Sequence, residues 1–113
     1  MLMSSNLATD AHELKSRLEW GQPAFTIIDV RDRHSYNYVH ISGAIQIPVD
    51  DLEKRATFSL HKQRHIYVYG ENEQQTATAA QILRDAGFTE IAEIKGGFIA
   101  WKIVGGAMEG LAV

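Results

Sequence analysis

The sequence predicts a single α/β domain with three layers, in which helices cover both faces of a mostly parallel central sheet. The first observation is the length of 113 residues, which suits one domain. The second is a set of short apolar runs typical of buried strands, and the third is their alternation with helical patterns. Alternating strands and helices favour a parallel sheet because each connection crosses back over the sheet.

The composition narrows the function classes. Hydrophobic residues make up 45% of the chain and charged residues 22%, which is typical of a globular protein. The net charge is −3 and Lys and Arg form no cluster, so we expect no nucleic acid partner. The chain has no cysteine, which excludes disulfides, thiolate nucleophiles and thiolate metal ligands. We predict no cofactor and no metal, since the histidines lack metal-ligand spacing: His12, His34, His40, His61 and His65.

The sequence also predicts the cellular location and the domain boundaries. Residues 1–7 lack the basic and apolar regions of a signal peptide, and no apolar run approaches the roughly 20 residues of a membrane span. We therefore expect a cytoplasmic protein without a membrane partner. Residues 1–8 are predicted to be a flexible N-terminus, and residues 9–113 a single domain.

The first predicted element is a surface helix. Asp10 can cap its N-terminus, with Glu13 three residues later as in a capping box. The helix is predicted to end at Gly21. Its apolar stripe consists of Ala11, Leu14 and Leu18.

The next elements alternate as the fold class requires. Residues 25–30 (FTIIDV) form an apolar run that predicts a buried strand. Residues 31–40 are polar and aromatic without a period, which indicates a loop containing one helical turn. Residues 41–48 predict one short second strand, and a weak helix is expected from Asp50 or Asp51 to Phe58.

The second half has the clearest helix. Residues 66–69 predict the third strand and residues 74–86 a helix, with Gly87 in the left-handed position that follows a helix. Residues 91–94 predict the fourth strand. The apolar side of the helix is assigned to Ala77, Ala80, Ile82 and Leu83. Gly96 and Gly97 are predicted to turn the chain into a last helix that contains Phe98, Trp101 and Val104.

A binding crevice is expected at one edge of this sheet. In parallel sheets the ligand site lies beyond the carboxyl ends of the strands. Two segments follow strands at that edge, residues 29–31 and residues 70–76. Asp29, Arg31 and the turn at residues 70–76 are therefore the candidate walls of the crevice.

Four segments in this order resemble the rhodanese-like domain. The first is Asp29-Val30-Arg31, and the second is the sequence HISGAI at residues 40–45, followed by Ile47 and Pro48. The third is the strand at residues 66–69 with its turn and alanine-rich helix. The fourth is KGGF at residues 95–98, with Trp101. The resemblance covers residues 10–104, and it implies the three-layer fold predicted above.

The resemblance also implies which residue should be the nucleophile. In the family, a cysteine after the third strand takes sulfur from a donor such as thiosulfate and carries it as a persulfide. Gly70 occupies that position here, Gln75 occupies the position of an Arg that holds anions, and only Thr76 matches the family's loop. The resemblance thus predicts no catalytic residue.

The turn at residues 70–76 remains the predicted binding segment. The candidate binding residues are Gly70, Glu71, Asn72, Glu73, Gln74, Gln75 and Thr76, with Asp29 and Arg31 across the crevice. Amide groups and a helix N-terminus at such a turn attract anions, which Glu71 and Glu73 oppose. These two glutamates are expected to be solvated charges, although general acid–base work or cation binding with Asn72 is an alternative.

Roles for the remaining polar residues near the crevice follow from the resemblance and from position. The resemblance implies a structural hydrogen bond for His40, and a buried ion pair or a loop brace for Arg31. Tyr36 and Tyr38 lie near the predicted crevice and are candidates for a partner-binding face.

The function predicted from these observations is a catalytically inactive rhodanese-like module. Its partner is an unknown protein or small molecule bound at the former active-site turn. The alternative is an enzyme of altered, non-cysteine chemistry that uses Asp29, Arg31, Glu71 or Glu73, or a chain assigned to the sulfurtransferases by resemblance only. A purely structural or oligomerising domain is the third possibility.

Overall fold

The computed structural model describes residues 25–113 together with Ala11, Leu14 and Lys15. In chain order the elements are β1 (Phe25–Asp29), α1 (Arg33–Tyr38), β2 (His40–Ile41), β3 (Ile45–Gln46), α2 (Val49–Ser59), β4 (His65–Tyr69), α3 (Glu73–Asp85), β5 (Ile91–Glu93), α4 (Gly97–Ile103) and β6 (Met108–Glu109). Among these elements, no helix has the length and hydropathy needed to cross a bilayer.

Four of the strands form a parallel sheet in the order β3-β1-β4-β5. In this register Asp29 at the end of β1 lies beside Tyr69 at the end of β4. The two carboxyl ends are therefore neighbours, and residues 70–76, which we call the β4–α3 turn, leave the sheet next to Asp29. The remaining strands, β2 and β6, form a small antiparallel ribbon.

The core lies on both faces of the sheet, which confirms the three-layer α/β prediction. Successive residues of a strand point to opposite faces, and Ile27 and Ile28 accordingly belong to different clusters. The cluster containing Ile28 includes Leu52 of α2 and Leu83 of α3. The other cluster contains Phe98 and Trp101 of α4 together with the helical residues Ala11 and Leu14.

The segment between β1 and α2 differs from the prediction. Residues 41–48 form two strands rather than one, because a turn in which the Ala44 amide donates to the Ile41 carbonyl (3.0 Å) separates β2 from β3. The predicted helical turn is the six-residue helix α1, whose N-terminus is capped by Asp32 through the Ser35 amide (2.8 Å). Strand β6 was not predicted.

Helix α3 begins and ends one residue before its predicted bounds, and its buried side is rotated. Thr76, Ala79, Ala80 and Leu83 are buried, whereas Ala77, assigned to the apolar side, is exposed. An alanine-rich helix offers several small apolar stripes, so composition alone does not say which one faces the sheet. Gly87 does follow the helix with a positive φ of 97°.

The first predicted helix lies mostly outside the described residues. Its described members, Ala11, Leu14 and Lys15, are helical, and Ala11 and Leu14 are buried in the second cluster. The predicted cap, stop and flexible start also fall outside the described part of the chain, at Asp10, Glu13, Leu18, Gly21 and residues 1–8.

Candidate functional site

Asp29 and Arg31 form a buried ion pair at the end of β1. Asp29 is 0% exposed and Arg31 4%. Arg31 Nη2 lies 2.8 Å from Asp29 Oδ2, Arg31 Nε donates to Oδ1 at 3.1 Å, and the Arg31 amide donates to the same oxygen at 2.9 Å. Arg31 Nη2 also donates to the Val39 carbonyl at 2.7 Å. This is the buried pair and loop brace that the resemblance implied.

Tyr69 extends the pair into a hydrogen-bonded network between two strands and β2. Its hydroxyl donates to Asp29 Oδ2 at 2.5 Å and accepts from the Ile41 amide at 3.1 Å. Burial and the neighbouring Asp29 carboxylate raise the pKa of Tyr69 above its ordinary range. The phenol therefore stays neutral and keeps its proton on the bond to Asp29.

The Arg31 guanidinium also contacts α4 and the β4–α3 turn. Its Cζ lies 4.3 Å from the ring centre of Phe98 and 5.6 Å from that of Tyr69. Nη1 reaches Glu71 Oε1 at 3.4 Å. Burial alone would lower the pKa of Arg31, but the hydrogen bonds and charge of Asp29 outweigh burial and raise it.

The β4–α3 turn satisfies many of its own amide groups. The Gly70 amide donates to Thr76 Oγ1 (2.8 Å), and the Gln75 amide donates to Asn72 Oδ1 (2.9 Å), which caps α3. The Thr76 amide donates to the Asn72 carbonyl (3.1 Å), and the Glu71 amide donates to Gln75 Oε1 (2.7 Å). These four amides are thus used inside the turn rather than offered to an anion.

Gln75 fills the space beside Gly70. A Cβ placed on Gly70 would lie 2.6 Å from Gln75 Oε1 and 2.8 Å from Gln75 Cβ, closer than real side chains approach. The φ angle of Gly70 lies outside the left-handed region, so its backbone suits any residue. The obstacle to a side chain at position 70 is therefore Gln75 and not the backbone.

Gly97 backs the turn from the start of α4. The Phe98 amide donates to the Gly70 carbonyl at 3.0 Å. Gly97 has a φ of +64°, and a Cβ there would lie 2.7 Å from the Gly70 oxygen and 3.1 Å from the Asn72 nitrogen. Only glycine permits both this conformation and this close approach.

The two glutamates of the turn are exposed and differ in their surroundings. Glu71 pairs with Arg31, and its side chain is 51% exposed. Glu73 lies in the first turn of α3, where a negative charge interacts favourably with the helix dipole. In the described part of the chain, no three His, Cys, Asp or Glu side chains are placed to hold a metal ion.

A cleft of about 360 Å³ opens beside the turn, and we call it the α1–α4 cleft. It is lined by Arg31, His34, Ser35, Tyr38, Val39, Glu71, Phe98, Ile99 and Lys102. His34, Ile99 and Lys102 carry no sequence signal of a site, because only the tertiary fold brings residues of α1 and α4 to the same cleft. A larger groove of about 880 Å³ runs along the surface of α2 between Asp50 and Ser59, and no residue of the turn lines it.

His40 and Tyr36 form contacts that join neighbouring elements of the fold. His40 Nδ1 lies 2.6 Å from the Tyr36 carbonyl and Nε2 lies 3.2 Å from Glu109 Oε1, which ties α1 to β6. The Tyr36 ring stacks on His40 at 3.7 Å, and its hydroxyl donates to the Ala44 carbonyl at 2.6 Å. Of the two tyrosines considered for a partner face, it is Tyr38 that lines the cleft.

Comparison with known proteins connects this geometry to a family. A model of the rhodanese-like domain matches residues 10–103. The solution NMR structure of the rhodanese-like domain from the Anabaena sp. protein Alr3790 is 57% identical, with a TM-score of 0.90, and the match covers 93% of this chain and 80% of that one.

Two curated bacterial proteins are also similar. The uncharacterized protein YqhL of Bacillus subtilis is 39% identical over 75 residues, which cover 66% of this chain and 59% of YqhL. The thiosulfate sulfurtransferase GlpE of Coxiella burnetii is 33% identical over 76 residues, covering 67% of this chain and 70% of GlpE. The chain spans less than two thirds of YqhL and only 42% of the putative sulfur carrier protein YrkF of Bacillus subtilis. The chain belongs to the rhodanese-like domain family and lacks that family's active-site cysteine.

Proposed function

We propose that this chain is a non-catalytic rhodanese-like module that binds a protein or small-molecule partner at the former active-site turn, with a regulatory or scaffold role in the cytoplasm. One observation carries the proposal. Gly70 stands where the family's sulfur-carrying cysteine is expected, and the Gln75 side chain occupies the space that a side chain at position 70 would need. A sulfur atom then has neither an attachment point nor room beside the turn.

The surrounding groups support the loss of sulfur transfer. A persulfide anion would need inward-facing amide groups and a fixed cation. The amides of Gly70 and Glu71 are bonded to Thr76 and Gln75 instead. Position 75, where the family has an Arg, carries an uncharged amide.

Non-cysteine chemistry has less support. Both carboxylate oxygens of Asp29 accept hydrogen bonds, from Arg31 and from Tyr69, which leaves this group poorly placed to take a proton from a substrate. Arg31 serves mainly to hold Asp29 and the Val39 carbonyl. A binding role needs none of these groups to react.

The binding half of the proposal is supported by what remains open at this edge of the sheet. Glu71, Tyr38 and Ile99 are exposed around a cleft whose floor contains the buried Arg31 and Phe98. A buried floor with an exposed polar and apolar rim is typical of recognition sites. The cleft and its rim are present although the family's nucleophile is absent.

Affinity capture from a lysate of the source cells tests the binding role. We expect the wild type and the Glu71→Ala/Glu73→Ala variant to differ in the proteins that they retain. The matched control is Asp51→Ala/Glu53→Ala, which removes the same charge from exposed positions on α2 and should retain the wild-type set. Identical retention by all three proteins would overturn the assignment of the turn as the binding face.

A further inference from the structure

The α1–α4 cleft contains a buried cation, and one of its nitrogen atoms contacts the exposed residue Glu71. The Arg31 side chain is 5% exposed, and its Nε and Nη2 atoms are bonded to Asp29 and to the Val39 carbonyl. Nη1 is the remaining arm, and it meets Glu71 Oε1 at 3.4 Å. At this length the contact is at the weak end of hydrogen bonding. A buried guanidinium held by Asp29 and the Val39 carbonyl thus presents its least-used donor group to the cleft.

The contact with Glu71 indicates which chemical groups Arg31 Nη1 can bind. The carboxylate of Glu71 comes from the exposed side of the cleft, and half of its side chain remains in solvent. An ion pair with such an exposed partner contributes about 0–1 kcal/mol, so another carboxylate could replace it at small cost. Arg31 binds planar carboxylates well because its donors match their geometry.

The charges around the cleft favour an anionic ligand once Glu71 moves away. The positive charge of Arg31 is balanced by the buried Asp29. Lys102 and His34 also line the cleft, and Glu71 is the acidic residue among the lining residues given above. Once Glu71 is displaced, Lys102 remains among the lining residues and no acidic residue does, so a carboxylate on the ligand would restore the balance of charge.

The rim of the cleft is apolar beside the charged groups. Tyr38 is 58% exposed and Ile99 51%, and both line the cleft. Ile103, one helical turn beyond Ile99, is 79% exposed and continues this surface along α4. The volume of about 360 Å³ is at the small end of ligand sites, which suits one acidic side chain with an adjoining apolar one.

We propose that the α1–α4 cleft binds an acidic peptide segment of a partner protein, in which an Asp or Glu lies next to an apolar residue. The partner's carboxylate replaces Glu71 at Arg31 Nη1 and lies near Lys102, while the apolar residue packs on Tyr38 and Ile99. Glu71 is then a built-in competitor for the site. This inference rests on the proposed function and names the partner class for the same face of the molecule.

Titration with defined peptides tests the proposal. The probe is acetyl-Leu-Glu-Leu-amide, and acetyl-Leu-Gln-Leu-amide is its uncharged counterpart; binding to the full chain is followed by amide chemical shifts in ¹H–¹⁵N spectra. We expect the Glu peptide to shift cleft resonances and to bind more tightly than the Gln peptide. Equal binding of the two peptides, or shifts located away from the cleft, would overturn the proposal.

Variants separate competition by Glu71 from general charge. Glu71→Gln should tighten the Glu peptide about twofold to fivefold, because it removes an exposed ion-pair partner. Glu73→Gln makes the same charge change in α3 and should have a clearly smaller effect. Lys102→Gln should weaken the Glu peptide. Equal effects of the two glutamate variants would contradict competition at Arg31.

The outcomes also separate this inference from the proposed function. If lysate capture depends on the turn but the two peptides bind equally, the acidic-peptide inference fails and the proposed function stands. If capture is the same for the wild type and Glu71→Ala/Glu73→Ala, the proposed function fails whatever the peptides show.

Discussion

Strands β1 and β4 end at the same edge of the sheet, and their ends differ in which of the family's residues they contain. At the end of β1, Asp29 and Arg31 form a buried pair that Tyr69 and the Val39 carbonyl complete. At the end of β4, the turn has the family's position and its Thr76, but Gly70 and Gln75 stand where a nucleophile and a cation are expected. The groups that hold the fold are present, and the groups that would carry sulfur are absent.

The difference shows which parts of the family's sequence serve the scaffold. The Asp29–Arg31 pair is bonded to Tyr69 of β4 and to the Val39 carbonyl between α1 and β2, so it connects parts of the fold in a chain without a nucleophile. The turn is bonded mostly within itself. The side chains of Asn72, Gln75 and Thr76 accept these bonds, so the turn holds its backbone without a cysteine or an arginine.

The largest expected effect is at the buried pair. Arg31→Ala would leave the Asp29 carboxylate buried without its cation, which costs about 3–5 kcal/mol of unfolding free energy. Urea unfolding followed by circular dichroism measures it. Glu71→Gln, which removes only the exposed contact of Arg31, is the control and should change stability by less than about 0.5 kcal/mol. A similar loss in both variants would mean that the pair is not the element that stabilises this edge.

The contact between α4 and the turn comes next. Gly97→Ala should cost about 2–3 kcal/mol, because it combines a left-handed φ with a Cβ pressed against the Gly70 carbonyl. Gly105→Ala is the matched control, since Gly105 has a similar φ of +71° with no atom within 4 Å of a built Cβ. It should show the conformational cost alone, about 1 kcal/mol. Equal costs in thermal or urea unfolding would show that the turn does not press on Gly97.

Tyr69→Phe probes the bond between the two strand ends. Removing the hydroxyl takes a donor from Asp29 and an acceptor from the Ile41 amide, and we expect a loss of about 2 kcal/mol near neutral pH. Because the pKa of Tyr69 is raised in the fold, the unfolded chain loses this proton first, above about pH 10.

The Tyr69 contribution should therefore fall as the pH rises. Above about pH 10 the unfolded state binds fewer protons than the folded state, so the stability difference between the wild type and Tyr69→Phe shrinks by up to about 1.4 kcal/mol per pH unit. Urea unfolding at a series of pH values from about 8 to 11 measures it. Other tyrosines are common to both proteins and cancel. A pH-independent difference would contradict a neutral, buried Tyr69.

The smallest expected effect is at the turn itself. Gly→Ala at an ordinary φ usually stabilises a protein slightly, but Gly70→Ala should cost about 1 kcal/mol because its methyl group meets Gln75. A double-mutant cycle with Gln75→Ala measures the coupling. Since Gln75→Ala removes the atoms at 2.6 and 2.7 Å, part of the cost should disappear in the double variant. Additive changes would show that Gln75 does not fill this space.

The sequence correctly predicted the strands whose ends surround the site. The apolar runs at residues 25–30 and 66–69 located both strand ends, and parallel topology then placed Asp29, Arg31 and the turn at one edge. The arrangement of α1, β2, β3 and β6 was not predicted, because these elements are short and are held by long-range contacts such as that between His40 and Glu109. Short elements carry little periodicity of their own.

Other details of the site could not be predicted because they depend on the tertiary structure. The position of the Gln75 side chain beside Gly70 depends on its conformation, which no sequence pattern specifies. His34, Ile99 and Lys102 line one cleft only because the tertiary fold brings α1 and α4 to the same edge of the turn. The buried stripe of α3 runs through Thr76 rather than Ala77, since Thr76 bonds to the Gly70 amide and faces the sheet.

The central claim is that the turn holds no group able to carry sulfur. A thiosulfate-to-cyanide sulfur transfer assay on the purified chain tests it most directly, with a cysteine-containing member of the family measured alongside to establish sensitivity. We predict thiocyanate formation at the rate of buffer alone. Turnover above buffer that increases in proportion to the concentration of this chain would contradict it.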